Sequence, residues 1–169
     1  MNILALCGSL RPQSSNAIFL QAARRLLPAQ AHWDFFEIKE LPYFDPALQF
    51  SIELPPHVVT LRSMAAKADY IFIATPEYAH GIPGVLKNSL EWLVCEETLK
   101  KEVVILIGSP SGGAFVKEYL VETLRTMDLV VAPERVLAVA LTKNQITSEG
   151  EILDPDLRGK LTKLIGTLS

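Results

Sequence analysis

Three short stretches gather most of the residues in this chain whose types and spacing suit ligand chemistry. The first is Gly8 to Asn16, GSLRPQSSN, directly after the apolar run Ile3-Leu4-Ala5-Leu6-Cys7. An apolar strand that breaks at Gly and restarts as a helix leaves backbone N–H groups pointing into a crevice. With the positive end of the helix dipole, those groups bind an anion. Ser9, Ser14, Ser15 and Asn16 add side-chain donors, and Arg11 can meet a phosphate bidentately. By composition the stretch is a phosphate cradle, although the same Ser and Asn also suit an ordinary helix N-cap. It lacks the G-x-G-x-x-G of dinucleotide folds and the Gly-Lys-Ser/Thr ending of nucleoside triphosphate loops, which argues against a Rossmann NAD site and an ATPase.

The second stretch is the loop Thr75 to Pro83, which with Gly84 reads TPEYAHGIPG. Pro76, Gly81, Pro83 and Gly84 fix a rigid turn whose backbone amides can address a flat heteroaromatic edge. Tyr78 and His80 offer planar surfaces and Glu77 a carboxylate. Each also has a plainer role: Tyr78 as a half-buried packing aromatic, His80 as a solvated loop residue, Glu77 as a cap or a salt bridge across a subunit contact. The third stretch is SPSGG, Ser109 to Gly113. Gly112-Gly113 allows close approach of the backbone to a ligand, or simply makes a tight turn before a helix. Cys7, beside the cradle, is either a low-pKa thiol or a buried small hydrophobe, and its place in a core strand favours the second. Trp92 and the Leu86/Leu90/Leu93 stripe read as core or subunit contact. The sequence holds no Ser-His-Asp order, no paired carboxylates in one motif and no set of metal ligands. No catalytic residue and no metal site is assigned, so an enzyme built this way relies on a cofactor for its reaction.

The elements that must position these stretches follow from hydrophobic periodicity. Asn2 to Cys7 reads as a buried parallel strand. Ile18, Ala22 and Leu26 recur at helical spacing until Pro28 ends the helix. Ala31 to Ile38 reads as a second strand, and Lys39 to Pro56 as an irregular segment whose Tyr43, Phe44 and Phe50 pack on something. A helix over His57 to Ala68 leads to a third strand, Tyr70 to Ala74. Helix three begins near Gly84, and Val103 to Ile107 is the fourth strand. Val116, Leu120, Leu124 and Met127 mark helix four. Leu129 to Ala140 contains a fifth strand interrupted near Pro133-Glu134, and Pro155 to Leu168 closes the chain as a helix. Strict alternation predicts a single doubly wound α/β domain over residues 1–169, a three-layer α/β/α sandwich around a five-stranded parallel sheet, and the order considered for that sheet is 2-1-3-4-5. In that order the first two stretches face one crevice at the carboxyl ends of the strands, where such folds bind ligands.

Composition excludes several classes. The 169 residues suit one domain, with 49% hydrophobic and 21% charged residues in an ordinary globular balance. A net charge of −3 provides no basic field for nucleic acid, and it is not the heavily acidic balance of a small electron carrier. No apolar run approaches the ~20 residues of a membrane span. The chain enters a strand without a secretory leader pattern, and Cys7 and Cys95 form no disulfide framework. A cytoplasmic location is expected.

Together, GSLRPQSSN and PEYAHGIPGVLKNSLEWL (residues 76–93) resemble the NAD(P)H-dependent FMN reductase family of the flavodoxin-like fold, which includes quinone, azo-dye and chromate reductases. The resemblance implies FMN bound non-covalently, with Ser9, Arg11, Ser14, Ser15 and Asn16 at its phosphate. It implies Pro76, Glu77, Tyr78, Ala79, His80 and Gly81 along the pyrimidine edge, largely through backbone amides, and Ser111, Gly112 and Gly113 beside the ring. It further implies hydride transfer from NAD(P)H to the flavin, then reduction of a quinone, azo compound, flavin or similar small molecule. A homodimer or homotetramer contacting through helix three and its preceding loop is also implied. An electron carrier or flavin-binding module without NAD(P)H turnover is the alternative. The chain departs from the family pattern twice: Ala79-His80 stands where many members have Asn after Pro-Glu-Tyr, and Ala114-Phe115 where a second Gly pair is frequent.

Overall fold

A computed structural model describes residues 1–11, 13–142 and 144–168; Pro12, within the first stretch, lies outside them. Burial with period two organises the sheet. In β1 (Asn2–Cys7), Leu4 and Leu6 enter one hydrophobic cluster while Ile3, Ala5 and Cys7 enter another. The same split separates Ile71 and Ile73 from Phe72 and Ala74 in β3 (Tyr70–Thr75), and Val103, Ile105 and Ile107 from Val104 and Leu106 in β4 (Glu102–Gly108). Strands apolar on both faces must be covered on both. Helices α2 (Pro56–Lys67), α3 (Gly84–Trp92) and α4 (Ala114–Thr126) pack on the first cluster, and α1 (Ser15–Arg25) and α5 (Pro155–Ile165) on the second. Each Leu, Ile or Phe fully buried there contributes roughly 1.5–3 kcal/mol.

All four strand pairs are parallel, and the order is β2-β1-β3-β4-β5, with β2 spanning His32–Phe36 and β5 Val136–Val139. The expected flavodoxin-like α/β/α architecture is therefore the observed one. The fifth strand is shorter than the apolar run around it. Pro133 opens a 3₁₀ turn (Pro133–Arg135), and only Val136 onward pairs with β4, apart from an isolated bridge between Val130 and Glu102. No described helix is long and apolar enough to cross a membrane.

The proline-rich segment before α2 is tied to α3 by side chains at helical spacing. Asn88 Nδ2 and Trp92 Nε1 both donate to the Pro42 carbonyl at 2.9 Å, Asn88 Oδ1 accepts the Phe44 N–H at 2.8 Å, and Phe44 lies edge-on to Trp92. Two positions of one helix face thus hold a segment that cannot pair as a strand. Its neighbour α3 carries the second stretch at its entrance.

Candidate active site

The carboxyl ends of β1, β3 and β4 meet at one edge of the sheet, where the three stretches emerge. The Gly8 N–H donates to the Ala74 carbonyl at 2.8 Å, joining the exits of β1 and β3. A Cβ on Gly8 would stand 2.7 Å from Thr75 Oγ1, so this approach requires glycine. Beyond it, Ser14 caps α1 by accepting the Asn16 N–H at 3.2 Å. The N–H groups of Ser15 and Ala17 find no acceptor in the chain among the described residues. They are the orphan donors of a helix N-terminus.

Asn16 does not join them. The residue is 2% exposed, and its side chain forms a reciprocal pair with Gly108 at the end of β4: Nδ2 donates to the Gly108 carbonyl and Oδ1 accepts the Gly108 N–H, both at 2.9 Å. The expectation of an Asn16 side chain facing a phosphate is corrected: its amide is consumed in locking α1 to β4. Ser14 is likewise buried and engaged as the cap, whereas Ser15 and Arg11 are exposed. Two clefts flank the cradle. One of about 440 Å³ is lined by Cys7, Ser9, Arg11, Arg24, Phe36 and Lys39, and one of about 540 Å³ by Arg11, Ser15, Gln21, Leu141, Thr142 and Ser148. Arg11 borders both. Burial pushes the Cys7 thiol above its ordinary pKa, against the opposing pull of Ser9 and Ser14, which suits a buried hydrophobe rather than a nucleophile.

In the second stretch, Tyr78 and Gly81 exchange backbone hydrogen bonds (2.9 and 3.2 Å) around Ala79 and His80, whose φ values are 48° and 60°. Positive φ at both central residues makes this a type I′ turn. Neither residue is Gly or Asn, so both sit in a sparsely populated region. Because the turn consumes the Tyr78 and Gly81 amides and Pro76 has none, the amides left to address a ligand are those of Glu77, Ala79 and His80. Of the six residues expected along the pyrimidine edge, these three keep an N–H without an acceptor among the described residues.

The Glu77 side chain is also committed. Oε1 accepts from Ser111 Oγ at 2.9 Å, and Oε2 accepts the N–H of Val116, in the first turn of α4, at 3.0 Å. The cap residue of α4 is Gly113, which has no side chain, and a carboxylate from another loop supplies the missing acceptor beside the positive helix end. Of the roles open from sequence, the cap is realised. The Val116 N–H holds the Glu77 carboxyl below its ordinary pKa, opposed by partial desolvation and assisted by Ser111 and His80. A folded-state pKa below the unfolded one contributes stability above the ordinary carboxylate range, and that contribution is lost as pH falls through the lowered value. The melting temperature of the wild type should exceed that of Glu77→Gln at neutral pH, with the gap closing below about pH 4. A gap unchanged by acid would mean that the carboxylate charge is irrelevant to the bridge.

Gly112 and Gly113 have φ of 81° and 70°, and a Cβ on Gly112 would meet nothing within 4 Å, so open space lies beside the third stretch. Ser111 bridges Ser109 Oγ and Glu77. Across the gap, the His80 and Phe115 rings stack with centroids 4.3 Å apart and planes 11° from parallel. The sequence showed these as two separate departures; the fold brings them into contact. Among the described residues, no group of three His, Cys, Asp or Glu could hold a metal ion.

Comparison with known proteins adds to this geometry. A family model described as NADPH-dependent FMN reductase matches residues 1–143. The chain is 38% identical over 114 residues to the NADH:(hydroxy)cinnamate reductase subunit CrdA of Vibrio ruber. That alignment covers 67% of this chain and 55% of the relative, so the chain spans about half of that protein's length. It is 28% identical over 176 residues to a quinone reductase of Escherichia coli, covering 100% of this chain and 92% of the other. Among solved structures, the flavoenzyme FerB, an NAD(P)H:(acceptor) oxidoreductase of Paracoccus denitrificans, superposes with a TM-score of 0.89 at 20% identity, covering 98% and 93% of the two chains, a likeness of fold.

Proposed function

The chain belongs to the NADPH-dependent FMN reductase family, and from that premise we propose that it is an FMN-dependent NAD(P)H oxidoreductase whose acceptor is a quinone, an azo compound or free flavin. The observation that carries this reading is the convergence of three donor-bearing stretches at one sheet edge. The donor set fits FMN. Arg11, Ser9, Ser15 and the free N–H groups of Ser15 and Ala17 would take the phosphate dianion. The amides of Glu77, Ala79 and His80 would face the pyrimidine edge, with Gly112 leaving space beside the ring. When bound, FMN supplies the redox chemistry, accepting a hydride from NAD(P)H and returning two electrons to the acceptor.

The chain's own residues bind and orient. The Gly8–Ala74 bond and the Asn16–Gly108 pair hold the β1, β3 and β4 exits in fixed relation. Glu77 ties the second stretch to α4, so the amides beside it are set before any ligand arrives. With FMN bound, the N–H groups of Glu77, Ala79 and His80 would favour the reduced form by meeting the negative charge that the ring gains on reduction.

Titration of the purified protein with FMN should show one flavin per chain at micromolar concentration. Arg11→Ala should weaken FMN binding by about ten-fold or more, the loss of one charge-assisted hydrogen bond, and leave riboflavin affinity unchanged. NAD(P)H oxidation with a quinone and the FMN-loaded protein should exceed the background that free FMN gives without protein. A protein that binds no flavin overturns the reading; one that binds FMN without NAD(P)H turnover becomes a carrier.

Tyr43, Phe50 and Ile52 are 93%, 81% and 101% exposed on the segment anchored to α3, beside exposed Val94 at the end of that helix. We propose that this apolar surface is the contact of a homodimer or homotetramer. Sedimentation velocity should give a dimer or larger for the wild type and a shift toward monomer for Phe50→Asp; a monomer at all concentrations refutes it.

A further inference from the structure

The stacked His80–Phe115 pair has no evident structural purpose. Phe115 is 46% exposed, and neither ring enters either hydrophobic cluster. His80 is exposed and held at φ 60°. A solvated imidazole on a strained turn, stacked on a half-exposed ring in the first turn of α4, contributes little to folding, and Glu77 already bridges the same two segments. The position of the pair is informative. His80 follows Ala79 and contributes one of the three free amides of the second stretch, and Phe115 is two residues beyond Gly113. The pair forms an exposed rim that joins the second stretch to the start of α4.

Resting on the FMN reading, we propose that the His80–Phe115 pair is the specificity-determining wall of the acceptor site, selecting planar acceptors that carry a ring carbonyl. A flat ring gains by offset or edge-on contact with the exposed aromatic faces. The imidazole, with one N–H donor in its neutral form, can meet a carbonyl oxygen at the same rim. A small inorganic oxidant has neither a flat face nor a ring carbonyl and gains nothing. Quinones are the acceptor class with both features.

The test compares wild type, Phe115→Leu, which keeps bulk without the ring, and Phe115→Tyr, which keeps the ring. The ratio of kcat/KM for 1,4-naphthoquinone to that for hexacyanoferrate(III) should fall about five-fold in Phe115→Leu, mainly through the quinone KM, and recover in Phe115→Tyr. Affinity of the FMN-loaded protein for the redox-inert planar dicarbonyl N-methylphthalimide, followed by flavin fluorescence, should fall in parallel. Phe115 lies outside both clusters, so Phe115→Leu should fold. An equal loss with both oxidants, or an unchanged ratio, overturns the wall while leaving the reductase intact. A wild type that binds no FMN overturns the parent reading and the wall with it.

Discussion

Asn16→Ala should destabilise the protein by about 2–4 kcal/mol and weaken FMN binding beyond that of any single phosphate contact. The estimate follows from what the substitution strands. The Gly108 N–H and carbonyl each lose a partner at 2.9 Å in a buried setting, and leaving a buried polar group unpaired costs roughly 1–3 kcal/mol. The space vacated lies under Leu141, whose Cδ2 would be 2.8 Å from a Cβ on Gly108, so the surroundings are already tight. The functional loss follows because the pair fixes the start of α1 against β4, and the free N–H groups of Ser15 and Ala17 sit in that first turn. Urea denaturation of the apoprotein measures the first effect and flavin titration the second. A stability loss under about 0.5 kcal/mol would show that water replaces the amide without penalty.

The architecture was legible because it rests on local signals. Apolar runs at 3–7, 70–74 and 103–107 with turn residues after each, and helical stripes between them, leave few topologies once parallel crossovers must be right-handed. The three stretches of the candidate site were legible for the same reason: Gly, Ser and Pro cluster where strands end. What escaped is long-range. Asn16 meets Gly108 across 92 positions, and Glu77 meets Val116 across 39, so no spacing rule connects them. A faint signal for Glu77 existed, since α4 starts after two glycines and needs a cap from elsewhere. The amides of Tyr78 and Gly81 looked available because a type I′ turn is not expected where Ala79 and His80 replace Gly or Asn. Pro133 was read correctly as an interruption, but how little of β5 survives beyond it depends on pairing with β4.

Gly112→Ala and Gly113→Ala should act through different properties, affinity in the first and stability in the second, despite adjacent positions and similar backbone angles. Both have positive φ, so a Cβ costs each about 1–2 kcal/mol. At Gly113 that atom would also stand 2.3 Å from Ile107 Cγ2, on a fully buried side chain of β4, and 3.4 Å from Val116 Cγ1. Ile107 cannot yield without disturbing the sheet, and such overpacking adds roughly 1–3 kcal/mol. Gly113→Ala should therefore lose about 2–5 kcal/mol of stability and loosen the start of α4, with flavin binding declining as a consequence. At Gly112 the new methyl group meets nothing within 4 Å in the chain and projects into the space proposed for the ring. Gly112→Ala should keep most of its stability, with losses near the backbone term alone, yet bind FMN at least ten-fold more weakly. Thermal melts of both apoproteins beside FMN titrations separate the two effects. If Gly112→Ala binds flavin as the wild type does, the third stretch is a plain turn before α4 and the ring lies elsewhere; the crossed pattern of stability and affinity is expected only if the ring lies beside Gly112.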